Sequence, residues 1–148
     1  MTGSAVDLLP HRPPMRLVED VVDIVAGRSA RTRRVARPDD WYFQGHFPGE
    51  PLVPAIVLVE LLSQTGGLAA ASATRTDSAV AALRVAAIGH FKFPNAARPN
   101  AVLEAVAHVV GRLGGAVKIE GYVTADGVRV AAGEVTLAEA TDTRSSVT

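Results

Sequence analysis

The sequence predicts an α+β protein in which a mostly antiparallel sheet packs around one long central helix. The helix candidate runs from Ala55 to about Ala73, and only the pair Gly66-Gly67 could interrupt it. Strand-like segments lie before and after this helix, separated by glycine, proline and asparagine turns. No internal repeat or change of composition divides the 148 residues. We therefore expect one domain over residues 1–148.

The central helix candidate is apolar on every side in its first two turns. Pro54 suits the first turn of a helix, where a missing N–H costs no hydrogen bond. The apolar residues Ile56–Val59 and Leu61-Leu62 surround a single acid, Glu60. A helix with this pattern is typical of a protein interior. We therefore expect both the helix and Glu60 to be buried.

Patterns of apolar residues predict a β-hairpin before the helix and three or four strands after it. Asp126-Gly127 is a strong signal for a two-residue hairpin turn. Residues 74–79 indicate a polar linker, and the ends, 1–7 and 141–148, are expected to be flexible. The predicted strand segments are Arg16–Val25, Ser29–Val35, Val80–Phe93, Ala101–Val110, Ala116–Thr124 and Val128–Leu137.

The composition argues against several classes of protein. Fifteen basic and fifteen acidic residues give zero formal net charge, which disfavours nucleic acid as a partner. With no cysteine, neither a disulfide framework nor a thiolate metal site can form. The longest apolar run, Ala55–Val59, is far shorter than the ~20 residues that cross a bilayer. Since the N-terminus also lacks a signal-peptide pattern, we expect a cytoplasmic protein that does not enter a membrane.

The other histidines and the arginines are expected to be structural or to lie at the surface. His90 and His108 fall in predicted strands without further ligands at metal spacing, so we expect no metal site. We expect His11 to have a structural or interface role. The aromatic run Trp41–Phe43 is expected to wall a hydrophobic slot or to pack its loop onto the sheet. Five arginines favour a solvated strand face over a docking patch: Arg28, Arg31, Arg33, Arg34 and Arg37.

Two residues of the stretch Gln44–Gln64 can carry acid–base chemistry. Glycine and proline crowd its first half, so His46 lies in an irregular but stiff loop. Glu60 follows fourteen positions later in an apolar helix, where burial raises the pKa of a carboxyl group toward neutrality. Free N–H groups at the start of this helix can stabilise an oxyanion. Either residue alone fits a structural role equally well or better, but together they indicate an acid–base site.

The run GHFPGEPLVPAIVLVE, together with LPHRPPM near the N-terminus, resembles the β-hydroxyacyl-acyl-carrier-protein dehydratases of type II fatty-acid synthesis. LLPHRPPMRLVEDVV resembles the family's opening, and FKFP at Phe91–Pro94 resembles its later substrate-side strand, so about 130 residues are covered. The resemblance implies a hot-dog fold, an antiparallel sheet wrapped around one long helix. It also implies a homodimer, or an oligomer built from dimers, in which His46 of one chain meets Glu60 of the other.

The resemblance further implies the loss of water from a (3R)-3-hydroxyacyl thioester on acyl carrier protein, which leaves a trans-2-enoyl thioester. His46 would be the base at C2, and Glu60 the acid at the C3 hydroxyl. No organic cofactor or metal would be needed. The supporting residues implied are Ala55, whose amide would bind the thioester carbonyl; Gln64, which would orient the acid or a water; and Phe47, Pro54 and Phe91 in the substrate tunnel. Lys92 and Arg98 are candidate contacts for an acidic carrier protein.

The chain departs from the family pattern at two places. Ala55 stands where the family commonly has glycine, and Asn95–Asn100 lacks the usual glycine-aspartate turn. These changes leave room for a specialised dehydratase, for example in polyketide or aryl-polyene synthesis. Two other functions stay open: a hot-dog thioesterase, in which a helical acid activates water without His46, and a non-catalytic subunit that binds acyl carrier protein.

Overall fold

The computed structural model describes residues 5–71 and 83–139 of the chain. Within them, six antiparallel strands form one sheet in the order β1-β2-β4-β5-β6-β3, and one α-helix packs against it. The elements are β1 (Asp20–Val25), β2 (Ser29–Val35), α1 (Ala55–Ala71), β3 (Leu83–Lys92), β4 (Val102–Leu113), β5 (Ala116–Ala125) and β6 (Val128–Glu139), with 3-10 turns at Ala5–Leu8 and Trp41–Phe43. The predicted fold class and order of elements are confirmed.

Inside the described ranges, the predicted boundaries hold to within a few residues, except at the start of the first strand. This strand begins at Asp20 rather than Arg16, because Leu17 and Val18 are buried against the core instead of joining the sheet. The expectation of a loose start is wrong for residues 5–7, since Val6 is buried and its carbonyl accepts a hydrogen bond from the Leu9 amide.

Several expectations fall on residues that the structure does not describe. The predicted linker 74–79, the tail 141–148 and the end of the helix beyond Ala71 all lie outside the described ranges. The hairpin turn between β5 and β6 lies inside them. Asp126 and Gly127 have φ angles of 49° and 84° there. Both residues therefore adopt the left-handed conformation that the predicted Asp-Gly hairpin turn requires.

The helix α1 lies very close to the sheet along its second half. All residues from Ser63 to Ala71 are buried, and the hydroxyls of Thr65 and Thr32 are hydrogen-bonded at 2.7 Å. Glycine makes this approach possible on β5, because a Cβ at Gly121 would collide with a methyl group of Leu62 and with backbone. The core between helix and sheet is therefore packed against strand backbone.

The first turn of α1 is not buried on every side, and that expectation is wrong. Ile56 is 75% exposed, and Ala55 is exposed beside it. On the edge strand β3, Val85 and Ile88 are also exposed. Within the single chain, nothing among the described residues covers these apolar side chains. No helix of the described ranges is long and apolar enough to cross a membrane.

The arginines of the first hairpin divide between surface and interior. Arg31 and Arg33 are exposed and flank Glu104 at 3.6 and 3.8 Å, as expected for a solvated face. Arg34 is different, and its assignment to that face is wrong. Its guanidinium binds the Asp40 carboxylate at 2.7 Å, and each side chain is only 11% exposed. A buried ion pair thus joins β2 to the turn that leads into the glycine-proline loop.

The aromatic run packs the loop onto the rest of the protein, as expected. Tyr42 and Phe43 are buried, while Trp41 stays half exposed and donates its indole N–H to the Pro14 carbonyl. The Tyr42 hydroxyl donates to Asp40 at 2.8 Å. Burial and this bond to Asp40 raise the pKa of Tyr42 to about 12, so the phenol remains a donor at physiological pH.

Candidate active site

The loop that carries His46 is closed by its own backbone hydrogen bonds. Phe47 and Glu50 exchange two amide-to-carbonyl bonds of 2.9 Å, and the Leu52 amide donates to the His46 carbonyl at 2.8 Å. The Val53 amide then donates to Ala97, which fastens the loop to the segment before β4. His46 is therefore held on a rigid frame directly ahead of α1.

The imidazole of His46 is held by a backbone carbonyl and by an aromatic ring. Its Nδ1 lies 3.1 Å from the Leu52 carbonyl oxygen, and the ring stacks on Phe47 with centroids 4.0 Å apart. A carbonyl can only accept, so Nδ1 carries the proton, and Nε2 keeps the lone pair that can take a proton from a substrate. The half-buried ring is thus fixed in one tautomer.

Glu60 lies in the second turn of α1 with its side chain 29% exposed. Gln64 donates a hydrogen bond to Glu60 Oε1 at 3.1 Å, and His11 Nε2 lies 3.5 Å from the same oxygen. Burial raises the pKa of Glu60, but the hydrogen bonds from His11 and Gln64 outweigh burial and lower it below its usual value. The expectation that burial raises this pKa toward neutrality is therefore wrong, because the carboxylate has partners.

Gln64 holds Glu60 and also anchors the N-terminal segment. The residue is only 2% exposed, and its Nε2 donates both to Glu60 and to the Met15 carbonyl at 2.8 Å. Its Oε1 accepts from the Leu17 amide at 2.9 Å. Because both N–H groups and the oxygen are used, the amide group has a single orientation. Gln64 thus contacts the carboxylate directly, and its role in orienting the acid or a water stays a prediction.

His11 is the residue of the site that the sequence did not assign to it. The interpretation placed His11 away from the acid, but the structure puts its imidazole against Glu60, 49 positions away in the chain. One signal was available: the LPHRPPM motif contributes to the family resemblance and contains a titratable residue. Contact with the acid could not be inferred from spacing.

A cavity of about 410 Å³ opens beside Glu60 between α1, β3 and the N-terminal segment. Its polar wall is formed by His11, Glu60, Ser63, Gln64 and Arg84, while leucine and valine side chains supply much of the apolar wall. Such a cleft, with both apolar walls and convergent polar groups, suits an acyl chain with a polar head.

His46 does not line this cavity in the single chain, and neither do the expected tunnel residues Phe47, Pro54 and Phe91. Phe47 is exposed and Pro54 is buried, whereas the ring of Phe91 lies over Gly133 of β6. One chain therefore presents the histidine and the acid at separate places.

The remaining candidates lie at the surface or at the start of the helix. Ala55 is the first residue of α1, where an amide has no intrahelical acceptor. Lys92 is exposed, and Arg98 lies 3.9 Å from Glu50 with both side chains exposed. His90 and His108 are exposed, as expected, and line a different cavity with Lys92. Among residues 5–71 and 83–139, no group of three or more His, Asp or Glu is placed to hold a metal.

A six-stranded antiparallel sheet packed on one central helix defines a protein of the hot-dog fold. The structure of a dehydratase heterocomplex, ApeI:P from Xenorhabdus doucetiae, matches it with a TM-score of 0.75 and 16% identity over 97% of this chain and 95% of that one. A hypothetical thioesterase with coenzyme A from Streptococcus pneumoniae gives a TM-score of 0.58 at 13% identity over 82% and 84%. At these identities the likeness concerns the fold alone.

The chain belongs to the FabA-like domain family, whose model matches residues 9–134. A relative from Myxococcus xanthus is 32% identical over 132 residues, covering 89% of this chain and 86% of its own. A relative from Ruegeria is 36% identical over 136 residues, covering 90% and 85%. Both are named 3-hydroxyacyl-acyl-carrier-protein dehydratase FabZ. The resemblance inferred from the motifs is thereby confirmed.

Proposed function

We propose that this protein dehydrates (3R)-3-hydroxyacyl thioesters of acyl carrier protein to trans-2-enoyl thioesters. The chain belongs to the FabA-like family. The observation that carries the proposal is the way in which the structure holds the two reactive side chains, His46 and Glu60. His46 is held by the Leu52 carbonyl as the tautomer that can act as a base. Glu60 is held by Gln64 beside a cleft with both polar and apolar walls. The names of the relatives agree with this chemistry.

In the proposed reaction, Nε2 of His46 removes the C2 proton and Glu60 delivers a proton to the C3 hydroxyl as the C–O bond breaks. The electron pair of the C2–H bond becomes the second bond between C2 and C3, and water leaves. Charge that develops on the thioester oxygen is stabilised by the amide of Ala55 at the helix start. Loss of water causes no net oxidation or reduction of the substrate, so the reaction requires no redox cofactor. General acid–base chemistry also requires no metal.

We propose further that two chains form the working unit. His46 and Glu60 do not share a cavity within one chain, so the site is complete only if another copy supplies the second group. The exposed edge strand β3, with Val85 and Ile88, and the exposed Ile56 at the start of α1 offer an apolar surface for that copy. A two-fold arrangement creates two equal sites, with Phe47, Pro54 and Phe91 in a tunnel between the chains.

The remaining expectations follow from the same reaction. An acidic carrier protein would meet exposed cations near the entrance, with Lys92 and Arg98 as candidates. The protein would act in the compartment of its carrier-bound substrate, which we take to be the cytoplasm. We also propose that residues 1–148 form one domain.

The test is mass spectrometry of a panel of 3-hydroxyacyl-carrier-protein thioesters of different chain length. We expect the wild-type protein to produce a loss of the mass of one water, and His46→Ala and Glu60→Ala each to lower the rate by about 10²-fold or more. His108→Ala, which changes an exposed histidine on β4, should leave the rate unchanged. Hydrolysis of the thioester would instead indicate a thioesterase, and binding without turnover would indicate a non-catalytic carrier-binding subunit.

A further inference from the structure

His11 and Glu60 form a contact that the reaction described above does not use. The imidazole Nε2 lies 3.5 Å from Glu60 Oε1, and the two side chains are 31% and 29% exposed. Both line the same cavity. The other ring nitrogen, Nδ1, is buried and has no hydrogen-bond partner among the described residues. The only polar partner available to this imidazole in the described structure is therefore the carboxylate of the proposed acid.

This arrangement differs from that of a structural histidine. A histidine that serves packing alone generally donates to a backbone carbonyl. His11 leaves one nitrogen unsatisfied, which costs free energy, and turns the other toward a carboxylate. A buried unpaired nitrogen beside a polar cleft is the kind of cost that is retained at functional sites.

We propose that His11 is the positioning residue of Glu60 and that the two side chains hold one proton in common, which is the proton delivered to the C3 hydroxyl. The proposal rests on the proposed function. Glu60 touches the substrate, and His11 acts only through Glu60.

The proton balance of the pair is simple. Before reaction, the pair holds one proton, either as imidazolium and carboxylate or as imidazole and carboxylic acid. As the C3–O bond breaks, this one proton passes from Glu60 to the departing hydroxyl; where it rested on His11, Nε2–H hands it to Glu60 in the same step. The pair ends as neutral imidazole and carboxylate, while His46 holds the C2 proton. Exchange with solvent through the open cleft then restores both groups.

The low pKa of Glu60 makes such a partner useful. Hydrogen bonds from His11 and Gln64 outweigh burial and keep the carboxyl group ionised at neutral pH. A carboxylate by itself has no proton to give, so a neighbouring donor must store it. The charged and titratable groups lining the cleft are His11 from the N-terminal segment, Glu60 from α1 and Arg84 from β3. Among these, only His11 both touches Glu60 and has a ring nitrogen that can hold or release a proton.

The decisive variant is His11→Gln, whose amide can still donate a hydrogen bond but cannot supply a proton. At pH 8 we expect kcat to fall by about 10²-fold with KM changed by less than about threefold. As the pH is lowered toward about 5, the variant should approach the wild-type rate, because without the imidazolium the pKa of Glu60 rises and the carboxyl group carries its own proton. His108→Gln is the matched control and should follow the wild-type profile. A loss that is equal at every pH, or no loss, would overturn the proposal.

A measurement independent of turnover separates this proposal from the proposed function. In protein labelled with ¹³C at glutamate carboxyls, the Glu60 signal is assigned by its absence in Glu60→Gln. We expect this signal to titrate at a higher pH in His11→Gln than in the wild-type chain. An unchanged titration would disprove the pairing even if dehydration is observed. A shifted titration in a protein that shows no dehydration would count against the proposed function and leave the pairing intact.

Discussion

Asp40 organises the turn that leads into the loop of His46. Its carboxylate accepts hydrogen bonds from the Arg34 guanidinium at 2.7 Å, the Tyr42 hydroxyl at 2.8 Å and the Arg37 amide at 3.1 Å. Arg34 also donates to the Leu17 carbonyl at 3.3 Å. One buried carboxylate thus joins β2, the aromatic turn and, through Arg34, the N-terminal segment. These contacts fix the turn from which the loop of His46 starts.

Asp40→Asn should destabilise the protein by about 3 kcal/mol, because it leaves the charge of Arg34 in a poorly solvated place without its partner. The free energy of unfolding in urea measures the effect. Asp39→Asn is the matched control: Asp39 is exposed next to it, and a surface change of this kind costs within about 0.5 kcal/mol. Equal unfolding midpoints for the two variants would show that the ion pair contributes nothing measurable.

Single residues were predictable only where the chain itself places the chemistry. His46 and Glu60 could be proposed as a site because a loop histidine and a helical acid lie fourteen positions apart in one recognisable stretch. The roles of His11 and Arg34 could not be found. His11 meets Glu60 across 49 positions, and a run of arginines does not say which one turns inward. The direction of the pKa shift of Glu60 could not be predicted for the same reason, because it depends on a hydrogen bond from His11, which is distant in the chain.

A pair of glycines on neighbouring strands makes room for side chains from two other elements. Gly121 of β5 and Gly133 of β6 are partners in the register. A Cβ at Gly133 would lie within 2.8 Å of three ring atoms of Phe91, and one at Gly121 would meet the Val106 carbonyl oxygen and Leu62. Side chains from α1 and β3 occupy the space that these glycines leave open. Glycine is thus required here by close packing.

Gly121→Ala should lower the free energy of unfolding by about 1–3 kcal/mol, the usual cost of overpacking. Backbone is among the colliding groups, so rotation of a side chain alone cannot relieve the strain. Gly111→Ala on β4 is the control, because its Cβ would have no atom within 4 Å. Chemical denaturation compares the two, and the explanation fails if Gly121→Ala is as stable as Gly111→Ala.

The elements themselves were largely predictable, because apolar spacing and turn residues are local signals. Glycine and Asp-Gly turns marked the strand ends closely. The exposure of Ile56 and β3 could not be read in this way. An apolar residue has the same pattern whether it packs inside its own chain or against another molecule, so periodicity alone made α1 look buried throughout.

At the scale of the whole molecule, the separation of His46 from the cavity beside Glu60 suggests a complementation test between two variants. His46→Ala and Glu60→Ala chains, unfolded and refolded together, should regain about a quarter of wild-type activity. In a statistical mixture half the dimers contain one chain of each kind, and each of these has one complete site of two. Each variant refolded alone should stay inactive.

A mixture of Glu60→Ala with Glu60→Gln is the control, since no pairing of these chains restores an acid. Sedimentation must show that the mixed chains form dimers, so that a lack of recovery can be interpreted. If mixed dimers form but activity does not recover, both groups act from one chain, and the proposal of a shared site would be wrong.

The side chain of Gln64 also turns one backbone amide into a reporter. The buried Leu17 N–H donates to Gln64 Oε1 at 2.9 Å, and the amide nitrogen of the same side chain binds Glu60. The rate at which the Leu17 amide hydrogen exchanges in heavy water therefore depends on how often its hydrogen bond to Gln64 opens. The exchange rate at this one peptide group of the N-terminal segment therefore reports how firmly Glu60 is held.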